Sequence, residues 1–257
     1  MIIVSKPTLP RAWEEAVLQC WRTGSRITTQ YDKPGDPPSL DSCALIEVSE
    51  PLREPRVHKC FPGGLVDLYK YTQEVVAGVH DKWIDPAAGK WSYTYHQRLS
   101  NYQGLNQLDR VIALLAACPT TRRAQAITWI PTTDLFVSDP CCLQRLWFRV
   151  EDKHLVMHAH IRSNDAFKAA FMNMYAFTEL QRNIATALSD KLGYCVPVGP
   201  YRHFVDSFHI YGSYFKDVDA FAKLCDAKPF STRVWDSTLP FVQENFQSAQ
   251  TELDNEE

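Results

Sequence analysis

Between Asp139 and Phe177 the sequence collects side chains whose chemistries complement one another. Cys141 and Cys142 follow Pro140. A cysteine thiolate is intrinsically nucleophilic and also a competent leaving group, so it can add to an electron-poor carbon and later depart. Nearby positive charge favours the thiolate, and Arg162 is the local candidate to supply it. Arg162, Ser163 and Asp165 lie in one Arg-Ser-Asn-Asp run, where a guanidinium fork can grip two oxygens of a phosphate. Asn173 carries a donor and an acceptor on one amide, suited to reading the edge of a heterocycle. Outside this stretch stand Glu74, Tyr95, the pair Arg122-Arg123, and His209 with Tyr211 two residues on. Each has a plainer reading. A Cys-Cys pair is often structural, adjacent arginines are often solvated, Glu74 can be a hydrated carboxylate, Tyr95 a packed aromatic, and His209 a satisfied core residue.

The elements needed to position these groups are legible in the hydrophobic pattern. Leu146–Val150 and Leu155–Ile161 read as strands around a turn at Glu151-Asp152-Lys153, followed by an apolar helical segment that carries Asn173 and Tyr175 and continues through Phe177–Leu192. Upstream, the pattern predicts a helix over Trp13–Cys20, strands around Arg26–Tyr31 and Ala44–Val48, a proline-punctuated loop over Pro51–Gly64, and a helix over Leu65–Gly78 bearing Glu74. Leu105–Ala117 predicts an amphipathic helix ended by Cys118-Pro119, and Ala126–Ile130 a strand. A strand over Arg202–Tyr211 would put His209 and Tyr211 on one face. The tail from Phe241 to Glu257 turns polar and acidic.

The 257 residues are 45% hydrophobic and 22% charged, the balance of a globular chain able to bury a core as one domain over 1–257. The net charge of −3 offers no field for nucleic acid or an anionic membrane, so neither is expected as a partner. Eight cysteines are scattered without a CxxC pair or paired histidines, which speaks against zinc and against a disulfide scaffold. No metal is expected. With no signal-peptide pattern and no bilayer-length apolar run, the expectation is a cytoplasmic protein.

The order of these motifs resembles the thymidylate synthase family, which includes related pyrimidine-nucleotide hydroxymethylases. The resemblance is carried by Arg122-Arg123, Pro140-Cys141-Cys142, Arg162-Ser163-Asn164-Asp165 with Asn173 eleven residues after the arginine, and His209-Ile210-Tyr211. It is strong over about residues 90–215. Counting back from Val150 puts Cys142 in the nucleophile's place. The leucine after it is similar to the archaeal-type branch, and Arg-Ser-Asn-Asp to phage deoxycytidylate hydroxymethylases. Trp91–Leu99 resembles the family's Tyr-Gly-x-Arg stretch, with Tyr95 on the catalytic tyrosine and His96 in place of glycine.

The resemblance implies an α/β (α+β) fold, a mixed sheet flanked by helices, with sheets packing at a dimer interface. It implies transfer of a one-carbon unit from 5,10-methylenetetrahydrofolate, or a related reduced pterin, to C5 of dUMP through a Cys142–C6 adduct. Glu74 would organise water, Tyr95 would help remove the C5 proton, and Asp165 would hold the pterin. Arg162 and Ser163 would bind the nucleotide, His209 and Tyr211 would contact the sugar hydroxyl, and Arg122 and Arg123 would cross to the partner's phosphate. The product would be dTMP; alternatives are hydroxymethylation of dUMP or a cytidine nucleotide, or a silent homologue that binds a nucleotide or RNA. Many family members end in an apolar segment that closes over the folate, and the acidic tail of this chain departs from that pattern.

Overall fold

The computed structural model describes residues 1–256, and Glu257, the end of the acidic tail, lies outside them. In chain order the elements are β1 (Ile2–Lys6), α1 (Leu9–Thr23), β2 (Ser25–Ile27), β3 (Ser39–Val48), β4 (Val57–His58), α2 (Leu65–Ala77), α3 (Tyr95–Ser100), α4 (Gln107–Ala117), β5 (Gln125–Ile127) and α5 (Pro131–Asp134). They continue as β6 (Leu143–Glu151), β7 (His154–Asp165), α6 (Ala170–Leu192), β8 (Val198–Ile210), α7 (Phe215–Ala227), β9 (Val234–Trp235) and α8 (Pro240–Asn255). The main sheet runs β1-β3-β8-β7-β6-β5, with β2 paired to β3, while β4 and β9 form a small separate pair. It is mixed: β1 with β3 and β7 with β8 are parallel, and the other pairs are antiparallel. The fold is therefore a mixed sheet with helices, as the motif order implies.

Alternation along the strands sorts the two faces. In β6, Leu146, Phe148 and Val150 are buried, while Arg145, Trp147 and Arg149 point to the other side. The buried side is filled by α6, from which Phe171, Met174, Phe177, Leu180 and Leu188 are almost inaccessible. Trp13 of α1 docks on the same layer and donates its indole N–H to Ala166 O at 2.9 Å. Among the described residues no helix covers the opposite face, where Ile3 is 59% exposed.

Several segments differ from the sequence expectations, each for a local reason. The Arg26–Tyr31 strand stops at Ile27, because the Asp32 carboxylate takes the Thr29 N–H at 2.7 Å and closes a turn. The Ala126–Ile130 strand stops at Ile127, since Pro131 opens α5 and Ile130 N–H goes to Asp134 Oδ2 at 2.6 Å. The β8 strand ends at Ile210, one residue short of Tyr211. The acidic tail is a helix, α8, laid against α2: Tyr69 Oη donates to Gln250 at 2.8 Å, and Lys70 pairs with Glu252 and Glu256.

Candidate active site

The Pro140-Cys141-Cys142 turn enters β6 through a register shift between Leu143 and Arg145. Gln144, left between two paired positions, donates to Cys141 O at 2.9 Å. From β7, Arg162 grips the same turn three times. Its backbone N–H reaches Cys142 O at 2.9 Å, its Nε reaches Cys141 O at 3.1 Å, and its Nη2 reaches Pro140 O at 2.5 Å. The two cysteines consequently part. Cys141 has no exposed surface, and burial pushes its thiol up to about 12. Cys142 faces a cavity of about 430 Å³. Burial also raises the Cys142 pKa, with Asp139 acting in the same direction and Arg162 opposing it. The Arg162 guanidinium thus favours the thiolate, against the larger effect of burial.

The same cavity is walled by Tyr95, Ser163, Asp165, Asn173, His209 and Tyr211, so most of the motif residues converge on Cys142. Asn173, near the start of α6, is 7% exposed. Its Oδ1 accepts a hydrogen bond from Tyr71 Oη at 2.5 Å, its Nδ2 has no hydrogen-bond partner among the described residues, and the residue lines the cavity. Tyr95 opens α3, whose first turn is capped by the Thr94 hydroxyl accepting from Gln97 N at 2.9 Å. The Tyr95 phenol accepts from Leu143 N–H at 3.3 Å, and burial holds its pKa well above 10, so it rests protonated. Below it, Arg98 of α3 makes a buried fork with Asp134, with contacts of 2.9 and 3.3 Å, and donates to Thr128 O, fixing α3 against α5 and the end of β5. His209 and Tyr211 meet edge to face at 4.7 Å between ring centroids, although Tyr211 has left the strand. Their convergence follows from alternation, since Tyr211 is still extended at φ −66° and ψ 144°; the chain turns only after it, at Gly212, where any Cβ would collide with Pro37 O at 1.9 Å.

Other predicted residues stand differently. Asp165 lines the cavity, yet its carboxylate already accepts from Phe167 N–H, Lys168 N–H and the Tyr214 hydroxyl. Arg162 serves the cysteine turn with its Nε and Nη2. Glu74 lies in an adjoining cavity of about 570 Å³, also lined by Trp91, Tyr93 and Asp139, which shares Tyr71 and Tyr95 with the first. Burial raises the Glu74 pKa against a 2.9 Å hydrogen bond from His80. Arg122 and Arg123 are exposed just before β5, line neither cavity, and have no ion-pair partner among the described residues.

The structure also adds residues that the motifs do not reveal. Tyr71 reads in sequence as one more aromatic on an amphipathic helix. Asn164 lines the cavity and is held by His203 Nε2 at 2.8 Å, itself bonded to Tyr201 Oη at 2.6 Å. A tyrosine and a histidine at i, i+2, on the buried face of β8, is the signal that could have found this relay. Among the described residues, no group of three or more His, Cys, Asp or Glu is placed to hold a metal ion, and no helix is long and apolar enough to cross a membrane.

A family model described as thymidylate synthase matches residues 67–237. A protein named "Putative thymidylate synthase" from Methanocaldococcus jannaschii is 29% identical over 220 residues, covering 82% of this chain and 91% of that one. A protein of the same name from Methanopyrus kandleri is 30% identical over 185 residues, covering 72% and 83%. Among solved structures, the thermostable thymidylate synthase A from Bacillus subtilis superposes with a TM-score of 0.65 at 16% identity, over 84% of each chain. The cysteine cavity lies at the ends of the central strands β6, β7 and β8, and the matched family is one of one-carbon transferases. The chain belongs to the thymidylate synthase family.

Proposed function

We propose that residues 1–257 form a single catalytic domain that transfers a one-carbon unit to C5 of dUMP, giving dTMP, by way of a covalent bond from Cys142 to C6 of the ring. The observation that carries the reading is the meeting of Cys142 and Asn173 in one cavity, while Cys141 is sealed in the core. C5 of uracil is too weak a nucleophile to take a carbon unaided. Addition of the Cys142 sulfur to C6 turns the ring into an enolate whose charge spreads to C5 and O4. The open Nδ2 of Asn173 is a donor suited to O4, where that charge develops. Returning the ring to aromaticity requires loss of the C5 proton and departure of the Cys142 sulfur from C6 as thiolate. The Tyr95 phenol and the Glu74 carboxyl flank the boundary of the two cavities and can relay that proton through water.

A reduced folate fits the second cavity: its walls at Trp91, Tyr93 and Tyr95 are aromatic, suited to a flat ring, and it adjoins the cysteine cavity. When bound, the folate supplies the carbon and, for a methyl product, the hydride. Glu74 and Asp139 offer acceptors to its ring N–H groups. We further propose a homodimer with shared sites, formed through the sheet face that no helix covers, in which Arg122 and Arg123 grip the neighbouring subunit's nucleotide phosphate.

The test is incubation with 5-fluoro-dUMP and methylenetetrahydrofolate. A covalent ternary adduct on the Cys142 peptide is expected, because fluorine cannot leave as a proton does and the complex stalls. Absence of any adduct would leave a silent binding protein. Analysis of the product from dUMP then separates methyl from hydroxymethyl, which differ only in whether hydride or water captures the transferred carbon.

A further inference from the structure

His80 is a buried titratable side chain beside the second cavity that the chemistry above does not use. The α2 helix closes at Gly78, whose φ of 69° turns the chain back on the helix it has just left. His80 is thereby brought against the last turn of α2, where its Nδ1 lies 2.9 Å from Glu74 Oε2. The ring is clamped in that place. It is 7% exposed, stacked on Trp83 at 4.0 Å with 13° between the planes, and met edge-on by Trp91 at 5.5 Å. Its Nε2 is buried without a hydrogen-bond partner among the described residues, 3.8 Å from Glu256 Oε2 at the end of α8. Glu74 for its part lines the second cavity, and its Oε1 has no hydrogen-bond partner among the described residues.

We infer that His80 is the positioning residue of Glu74: its Nδ1–H binds Oε2 and fixes the carboxylate on the cavity wall as a proton acceptor, with Oε1 left free to work. The inference rests on the proton-relay reading of Glu74 above and adds the group that keeps this carboxylate fit for it. A largely buried carboxyl tends to hold its proton, and a protonated Glu74 cannot take another. A donor at hydrogen-bond distance offsets that tendency by stabilising the anion. Burial is the largest influence on Glu74 and raises its pKa, Asp81 adds to the rise, and His80 opposes both. Lys90 and Asp139 stand on the same cavity wall, and burial keeps the phenols of Tyr71, Tyr93 and Tyr95 protonated. His80 lines neither cavity and acts through Glu74.

The experiment compares two variants that separate the donor from the ring. His80→Phe keeps the stack on Trp83 and loses the donor, whereas His80→Gln loses the stack and keeps an N–H within reach. Release of tritium from 5-tritiated dUMP, with methylenetetrahydrofolate present, reports loss of the C5 proton. Formation of the covalent adduct with 5-fluoro-dUMP reports the steps before it. A base acts in its deprotonated form, so the ratio of the first rate to the second rises with pH through the Glu74 pKa. In His80→Phe burial acts unopposed. The rise is expected to move up by about one pH unit, and tritium release below it to fall about tenfold, the scale of one hydrogen bond to a charged group. His80→Gln should keep the rise near its original place, and adduct formation should be unchanged in both variants. If His80→Phe does not fold, His80→Leu replaces it as the variant without a donor. An unmoved rise in the variant without a donor, a larger loss in His80→Gln, or equal losses of tritium release and adduct formation would overturn the role of His80 while leaving the substrate class intact. Failure of the unaltered protein to form the adduct would overturn the one-carbon reading, and this inference with it.

Discussion

At the scale of single residues, Cys142 and its neighbour illustrate how one turn assigns opposite duties to identical side chains. Cys142→Ser should lower turnover by on the order of 10⁴-fold or more while leaving nucleotide binding nearly intact, because a serine hydroxyl at neutral pH supplies almost no nucleophilic anion. Cys141→Ser puts a hydroxyl where the cysteine has no exposed surface, so it should cost about 1–2 kcal/mol of stability and leave the turnover of folded protein close to normal. Steady-state kinetics with urea unfolding distinguishes the two. A dead Cys141→Ser with an active Cys142→Ser would move the site by one residue. Asn173 offers a second test. Uracil presents an acceptor at O4 and a donor at N3, and cytosine reverses both, so a carboxyl at position 173 suits the latter. Asn173→Asp should lose dUMP turnover and gain dCMP turnover. A mismatched buried polar group costs roughly 1–3 kcal/mol, enough to shift the ratio of kcat/KM values by one to a few powers of ten. An unchanged ratio would mean that Asn173 does not read the base.

At the scale of elements, the site depends on contacts that keep helices and short strands in place around it. Glu14 of α1 receives His58 Nε2 from β4 at 2.9 Å and a forked contact from Arg233, at 2.7 and 2.8 Å, just before β9. Burial works against the charged carboxylate, but these bonds outweigh it and hold Glu14 at about 2 instead of 4.5. A carboxyl depressed in the folded state contributes its stability in full above the unfolded value. That contribution is lost as pH falls from 4.5 toward 2. Glu14→Gln leaves Arg233 buried without its counter-charge and should cost about 3–5 kcal/mol at pH 7. Urea unfolding across pH should also show a flatter acid limb between those two values. An acid limb as steep as that of the unaltered protein would place the titrating group elsewhere.

At the scale of the molecule, the helix-covered face of the sheet and the uncovered one divide the labour. The first holds the cavities; the second leaves Trp147, Arg145, His158 and Phe204 without a covering layer, while Arg122 and Arg123 project from the edge of the same sheet. If two chains pack through that face, each site is completed by the other's arginines. Mixing inactive Arg123→Ala subunits with inactive Cys142→Ser subunits should then restore one intact site per mixed dimer, up to about a quarter of full activity at equal input, since half the dimers are mixed. Activity staying at background after verified subunit exchange would rule out sharing. The acidic helix α8 is pinned to α2 by Tyr69 and Lys70.

Much of this was readable before any coordinates. Cys142, Ser163, Asn173, His209 and Tyr211 line one cavity because strand alternation and the start of one helix convert short sequence distances into a common direction. The β6–β7 hairpin, α2, α4 and α6 followed from periodicity, since each buries an apolar face. What periodicity could not supply was the partner of each polar atom. Whether Cys141 or Cys142 faced the ligand depended on a bulge and on Arg162 gripping a backbone turn. That the Asn173 amide meets Tyr71 depended on a residue 102 positions away in the chain. The ends of β2 and β5 were decided by Asp32 and Asp134 capturing backbone N–H groups, which competes with the ladder only once the turn has formed. Composition and local pattern determine which surfaces must be buried; tertiary structure alone determines which donor meets which acceptor, because hydrogen bonds are directional and burial is not.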